Sequence, residues 1–170
     1  MEDRLILVDY KDNIVGEAYK QEVHEKGLLH RAFSVFIING NKMLIQKRAK
    51  DKYHSAGLWA NTCCSHPRVN EDTYDAARRR LKEECGIECE IKEAGSFIYR
   101  SVYENGMTEY ELDHVFTGCY DGDYQPDLNE IEELKYVDID YLLKDIKDNP
   151  DRYTSWFKTA LYMVIKALQL

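Results

Sequence analysis

The stretch from Phe33 to Lys47 limits the possible folds most. An apolar run, Phe33 to Ile38, meets the turn signal Asn39-Gly40-Asn41, and a second run follows from Met43 to Lys47. Asn-Gly supplies the positive φ that a tight hairpin needs, so the pattern predicts strand–turn–strand. A second hairpin is expected nearer the start, from Leu5-Ile6-Leu7-Val8 through Tyr10-Lys11-Asp12-Asn13 to Ile14-Val15. Lys20 to Arg31 is polar, carries two histidines and has little period. Ala49 to Gly57 reads as a charged loop. From Glu71 to Cys85, Tyr74, Ala77, Leu81 and Cys85 recur at helical spacing, which predicts an amphipathic helix ending before Gly86. Ile87–Ile91 and Ser96–Tyr103 read as strands, Glu104-Asn105-Gly106 as a turn, and Met107 to Tyr120 as a long strand. A short strand near Leu134–Val137 precedes a helix from Asp140 to Ile146. A last helix starts at Thr154-Ser155, either of which can be its N-cap, and buries Phe157, Leu161, Val164 and Leu168. The order predicts one α+β domain over residues 1–170, a mixed sheet packed by helices.

The net charge is −8. A nucleic-acid binder needs a basic face to neutralise phosphates, so that class is disfavoured, and any anionic substrate must be met by a local cluster of cations. Five cysteines include the vicinal pair Cys63-Cys64; an odd count at such spacing points to reduced thiols. No window approaches the ~18 apolar residues of a membrane helix. Met1-Glu2-Asp3-Arg4 lacks the basic-then-apolar pattern of a signal peptide. A cytoplasmic location and no membrane partner are therefore expected.

His24, His30 and His66 stand where core packing is not the obvious reason for a histidine. Glu109 and Glu111 alternate on one predicted strand, so both carboxylates share a face. Three imidazoles and two carboxylates can form a mixed N/O site suited to Zn, Mn or Mg. Surface histidines and a solvated strand edge are the other reading.

Ser65-x5-Glu71-x7-Arg79-Arg80-Leu81-Lys82-Glu83-Glu84-Cys85-Gly86-Ile87 has the punctuation of a Nudix box. It keeps the first Glu, the Arg, the paired Glu and the Gly. Ser65 replaces the leading Gly, and Arg80 stands where a metal-binding Glu is usual. Arg80 and Glu84 lie four apart on one helical face, a spacing that suits either joint phosphate binding or an ordinary salt bridge.

In chain order come His24-x5-His30-Arg31-Ala32-Phe33-Ser34, Gln46-Lys47-Arg48-Ala49 and Leu58-Trp59-Ala60-Asn61-Thr62-Cys63-Cys64-Ser65-His66-Pro67. Tyr99-Arg100, Glu109-x-Glu111 and Ser155-Trp156 follow. The set closely resembles the type I isopentenyl-diphosphate isomerases, a Nudix-fold family whose own box is degenerate. The resemblance implies a Nudix-like mixed β-sheet sandwiched by helices. It also implies interconversion of isopentenyl and dimethylallyl diphosphates through a tertiary carbocation, with water excluded.

By that resemblance Cys64 and Glu111 are the proton-transfer residues, on opposite sides of the five-carbon chain, with Tyr99 a catalytic residue placed to hydrogen-bond or relay to Glu111. His24, His30, His66, Glu109 and Glu111 match the ligands of one divalent ion (Mn²⁺, Zn²⁺ or Mg²⁺). Glu84 matches the ligand of Mg²⁺ bridged to the diphosphate, with the Cys64 carbonyl as partner. Lys20, Arg48, Lys52, Ser65 and Arg80 match the diphosphate contacts. Trp156 matches an aromatic facing the carbocation. His54 and His114 match no metal position and are expected as loop and strand histidines. The expected partner is a small isoprenoid diphosphate, with the chain a monomer or homodimer. A Nudix hydrolase of a nucleoside or other diphosphate is the rival reading, and a metal-binding module without catalysis the third.

Overall fold

The computed structural model describes residues 3–169; Met1 and Glu2, part of the N-terminal reading above, and Leu170 lie outside the described residues. In order the elements are β1 (Arg4–Val8), β2 (Ile14–Tyr19), α1 (Lys20–Lys26), β3 (His30–Asn39) and β4 (Lys42–Arg48). Then come β5 (Trp59–Ala60), β6 (Cys63–Ser65), α2 (Thr73–Cys85), β7 (Ile91–Val102) and β8 (Thr108–Cys119). The chain finishes with β9 (Ile131–Asp138), α3 (Ile139–Asp148) and α4 (Ser155–Leu168). Both hairpins form as expected, the second with Gly40 at φ +59° in its turn.

Strand β3 organises the sheet. One edge runs parallel to β8 from His30↔Glu111 to Ile38↔Cys119. Its other edge is shared by three antiparallel strands: β1 at His30, β6 at Phe33–Val35 and β4 at Ile37–Asn39. Antiparallel β7 extends the sheet beyond β8, and β9 pairs β4. Because successive strands leave the same edge of β3, the sheet curls. Both its faces are covered, which is why Phe33–Ile38 is apolar at nearly every position. Helix α2 packs Ala77 and Leu81 on Phe33, Val35 and Ile37. Helices α3 and α4 pack Leu142, Phe157 and Leu161 against Phe36, Met43 and Val115. The α+β sandwich is thus as expected. No helix among the described residues is long and apolar enough to cross a membrane.

Three local expectations change. Lys20–Lys26 is helical: α1 buries only Val23 and His24, too few to produce a period, and stops at Gly27 in the left-handed region. Ile87–Glu90 is not a strand. Gly86, at φ +68°, closes α2, and Ile87 donates its N–H to the Leu81 carbonyl (3.5 Å) while its side chain is fully buried, so this segment is the exit of the helix. The strand begins at Ile91 instead. In α4, Thr154 is the N-cap position but makes no side-chain cap bond, and Leu168 is only partly buried.

Asn61 and Thr62 fill the gap where β4 and β6 part from β3, and both are fully buried. Thr62 Oγ1 accepts from the Ile37 N–H (2.9 Å) and donates to the Leu44 carbonyl (2.6 Å). Asn61 Nδ2 donates to the Cys63 and Val35 carbonyls at 2.7 and 3.2 Å. These side chains replace ladder bonds that the curl removes. Thr62→Val keeps the shape and strands a buried donor and acceptor. It should lower stability by about 2 kcal/mol in urea unfolding, whereas an unchanged midpoint would show the hydroxyl to be dispensable.

Candidate active site

Strand register assembles the site. On β8, Glu109, Glu111 and Asp113 share the inner face, all buried. The β3–β8 register sets His30 beside Glu111, and the β7–β8 register sets Tyr99 opposite it. Tyr99 Oη donates to Glu111 Oε2 at 2.6 Å, and His66 Nε2 lies 3.0 Å from Oε1. His66 follows β6, whose pairing with β3 also sets Cys64 beside Ser34. Helix α1, unseen from the sequence, carries His24 inward to within 2.9 Å of Glu109 Oε1.

His24, His30, His66 and Glu109 each offer a ligand atom, all within 4.8 Å of one another. Hydrogen bonding prepares these atoms for a cation. His24 Nδ1 bonds the Lys20 carbonyl (2.6 Å) and His30 Nδ1 the Leu28 carbonyl (2.9 Å), so the protons sit on Nδ1 and the Nε2 lone pairs face the cluster. His30 Nε2 and His66 Nε2 face each other at 3.3 Å, and Glu109 Oε2 is buried without a partner. Ring nitrogens turned toward each other and toward a carboxylate fit a divalent ion of the N/O-preferring kind. The Glu111 carboxyl adjoins this set, its Oε1 3.0 Å from His66 Nε2 and 3.5 Å from His30 Nε2. Burial opposes charge on Glu109, but the Glu111 carboxyl and the His24 and His54 imidazoles outweigh it and hold its pKa well below the carboxylate range. Asp113 is the reverse: burial pushes it well above, and Ser34 Oγ donates to it at 2.7 Å.

A cavity of about 740 Å³ opens in front of these groups. Every expected site residue lines it except His24 and His30, which lie behind. Cys64 Sγ sits 3.9 Å from Arg48 Nη1. Burial pushes the thiol pKa up to about 12 despite the pull of Arg48, so it is protonated at neutral pH. Trp156 is buried at the start of α4 and donates Nε1–H to Asn61 Oδ1 (3.2 Å). Its ring stands 6.3 Å from that of Tyr99, and the Arg48 guanidinium lies 5.2 Å over it.

The cations gather along the same cavity, as the net charge required. Arg48 has no carboxylate partner among the described residues, and its buried Nε is unpaired. Lys20 rests over the Tyr53 ring at 5.4 Å. Lys52 is paired with Glu130, and Arg80 with Glu84 (2.5 Å) and Glu83 (2.8 Å). The i,i+4 salt bridge therefore forms, and it faces the cavity. Burial raises the Glu84 pKa from its ordinary value, with Arg80 opposing. Glu84 lies among cations, outside the histidine set.

Two of the histidine expectations need comment. His114 is a strand histidine, as expected, bridging Glu93 (2.6 Å) and Asp12 (2.9 Å). His54 is in a loop but is no ordinary loop residue: it is buried, and its Nε2 lies 2.7 Å from Glu109 Oε1. Tyr53 also donates to that oxygen, at 3.1 Å. Nothing in a uniformly polar loop sequence signals this burial.

The NUDIX domain family matches residues 28–157, and the chain belongs to it. Fold neighbours agree. DR0079 from Deinococcus radiodurans superposes with a TM-score of 0.71 at 20% identity, over 86% of this chain and 90% of that one. The NUDIX domain of Shewanella oneidensis NrtR, solved with ADP ribose, gives 0.65 at 13% identity, over 82% and 87%. At these identities the likeness concerns the fold. Closer in sequence is isopentenyl-diphosphate Delta-isomerase 2 of Aromatoleum aromaticum, 49% identical over 173 residues, covering 100% of this chain and 90% of that one. The Photorhabdus laumondii protein of the same name is 50% identical over 162 residues, covering 95% and 92%. Within the NUDIX fold, the chain belongs to the isopentenyl-diphosphate Delta-isomerase family.

The raised Cys64 pKa has a direct consequence. At pH 8, iodoacetamide should alkylate exposed Cys119 first and modify Cys64 at least about a hundredfold more slowly than a free thiol, as read by peptide mass mapping. Cys64 reacting first would contradict the protonated thiol.

Proposed function

We propose that this chain isomerises isopentenyl diphosphate to dimethylallyl diphosphate by adding a proton at the terminal alkene carbon and removing one from C2, through a tertiary carbocation. One observation carries the reading. A protonated thiol, Cys64, and a carboxyl held by Tyr99 and His66, Glu111, line one cavity with a buried indole. One of the two groups gives the proton that the alkene gains; the other takes the proton that C2 loses. Positioned proton transfer of this kind contributes about 10²–10⁴-fold in rate. Trp156 offers its face to the cation, a gain of roughly 0.5–2 kcal/mol, and its bond to Asn61 fixes the ring. Tyr99, whose own ionisation burial suppresses, remains a donor to Glu111.

The diphosphate lies among the cations of the cavity wall, held by Lys20, Arg48, Lys52, Arg80 and Ser65. Lys52 and Arg80 exchange Glu130 and Glu84 for phosphate oxygens as it enters. Divalent ions, when bound, would supply fixed positive charge: His24, His30, His66, Glu109 and Glu111 would hold one, and Glu84 with the Cys64 carbonyl would hold Mg²⁺. Five free cysteines suit a reducing cytoplasm.

Incubation with isopentenyl diphosphate and Mg²⁺ should yield acid-labile dimethylallyl diphosphate with no phosphate released. Cys64→Ala should lower kcat by about 10²–10⁴-fold while substrate binding persists in calorimetry. Orthophosphate or a monophosphate as product, or full activity in the variant, would overturn the assignment.

A further inference from the structure

The Glu109 carboxylate is loaded asymmetrically. Oε1 is approached by His54 Nε2 (2.7 Å), His24 Nε2 (2.9 Å) and Tyr53 Oη (3.1 Å), while Oε2, equally buried, has no hydrogen-bond partner and stands 3.8 Å from His30 Nε2. His24 Nδ1 bonds the Lys20 carbonyl (2.6 Å), so in the neutral ring its Nε2 carries no proton to give Oε1. The donors to Oε1 are therefore His54 and Tyr53, neighbours in the loop that also carries Lys52.

His54 is built in firmly. Its ring stacks on Tyr103 (centroids 4.5 Å apart, 13° between planes) and meets Tyr53 and Trp156 edge-on at 4.4 and 5.9 Å. Nδ1 lies 3.2 Å from Ser55 Oγ, which can donate to it and so leave the ring proton on Nε2, aimed at Glu109. An imidazole in this box, with this tautomer, does one thing that a space-filling residue does not. It donates to one oxygen of a buried carboxylate and leaves the other free, beside His30.

We infer that His54 is a positioning residue, with Tyr53 as its auxiliary: it orients Glu109 so that Oε2 is presented to the cation-binding set of His24, His30 and His66. The inference rests on the metal reading of that set and extends it to a residue outside it. Groups that orient a ligand in this manner typically carry about 10–100-fold in metal affinity.

The test measures affinity for Co²⁺ alone, by competition with a chromophoric chelator, on the full chain without substrate. Thermal unfolding of each apo variant serves as the control for folding. Wild type should bind. His54→Leu, which removes the donor, should bind at least about tenfold more weakly; His54→Gln, whose amide N–H reaches the same oxygen, should recover most of the loss. A purely packing role predicts the opposite order, because Leu fills the box and Gln brings a polar group into it. Wild-type affinity in His54→Leu overturns the inference, as does a His54→Gln variant that folds normally but binds as weakly as His54→Leu. If His54→Leu does not fold, His54→Gln and Tyr53→Phe decide. Near-wild-type affinity in the first with a several-fold loss in the second supports the inference, and any other result overturns it. Failure of wild type itself to bind Co²⁺ sinks the metal reading, and the inference with it; normal wild-type binding with indifferent variants sinks the inference alone.

Discussion

Three carboxyl groups, Glu109, Glu111 and Asp113, stand on one face of one buried strand, and much of the molecule answers them. Burying a carboxylate is costly, and like charges two residues apart in a strand add to the cost. Each group is relieved differently. Asp113 keeps its proton and accepts from Ser34. Glu111 is gripped by a tyrosine on the neighbouring strand and by His66. Glu109 stays ionised among imidazoles. The histidines, the helix that brings His24 inward and the loop that brings His54 all serve this neutralisation. The proposed proton chemistry and cation binding both rest on it.

The fold makes such a strand possible through the divided edge of β3. A flat sheet would bury apolar side chains on both faces along the whole strand. Here β1, β6 and β4 leave β3 in turn, and the curl opens a cavity with room for polar groups above one end of the sheet while α2, α3 and α4 keep the rest dry. The degenerate box helix contributes differently from its usual pattern. Where a carboxylate is normally found, Arg80 spans to Glu84 and Glu83, so this wall of the cavity offers a cation already partnered rather than an open acidic cluster.

Much of this was readable from residue patterns because the relevant periods are short. Alternation put Glu109 and Glu111 on one face. The Asn-Gly turn located β3 and β4. The α2 stripe ended where Gly86 ends it. Helix α1 was invisible because seven residues with two buried positions display no stripe. Ile87 misled because an apolar residue after a glycine looks the same whether it begins a strand or caps a helix. His54 escaped for a different reason. Its partner Glu109 is 55 positions away, and burial of a polar loop is decided by what packs over it, here Tyr103 and Trp156, not by the loop's own composition.

Asn61 and Thr62 carry one more implication. Neither side chain lines the cavity, yet one clasps the indole and the other welds two parting strands immediately before Cys64. A mutational scan scored by growth or turnover would rank them beside the proposed proton-transfer thiol, and an evolutionary profile would colour all of Asn61–Cys64 alike. Invariance across this tetrapeptide would thus blend two selective pressures, architecture in its first half and reactivity in its last residue. Only a scan read out separately for folded abundance would tell them apart.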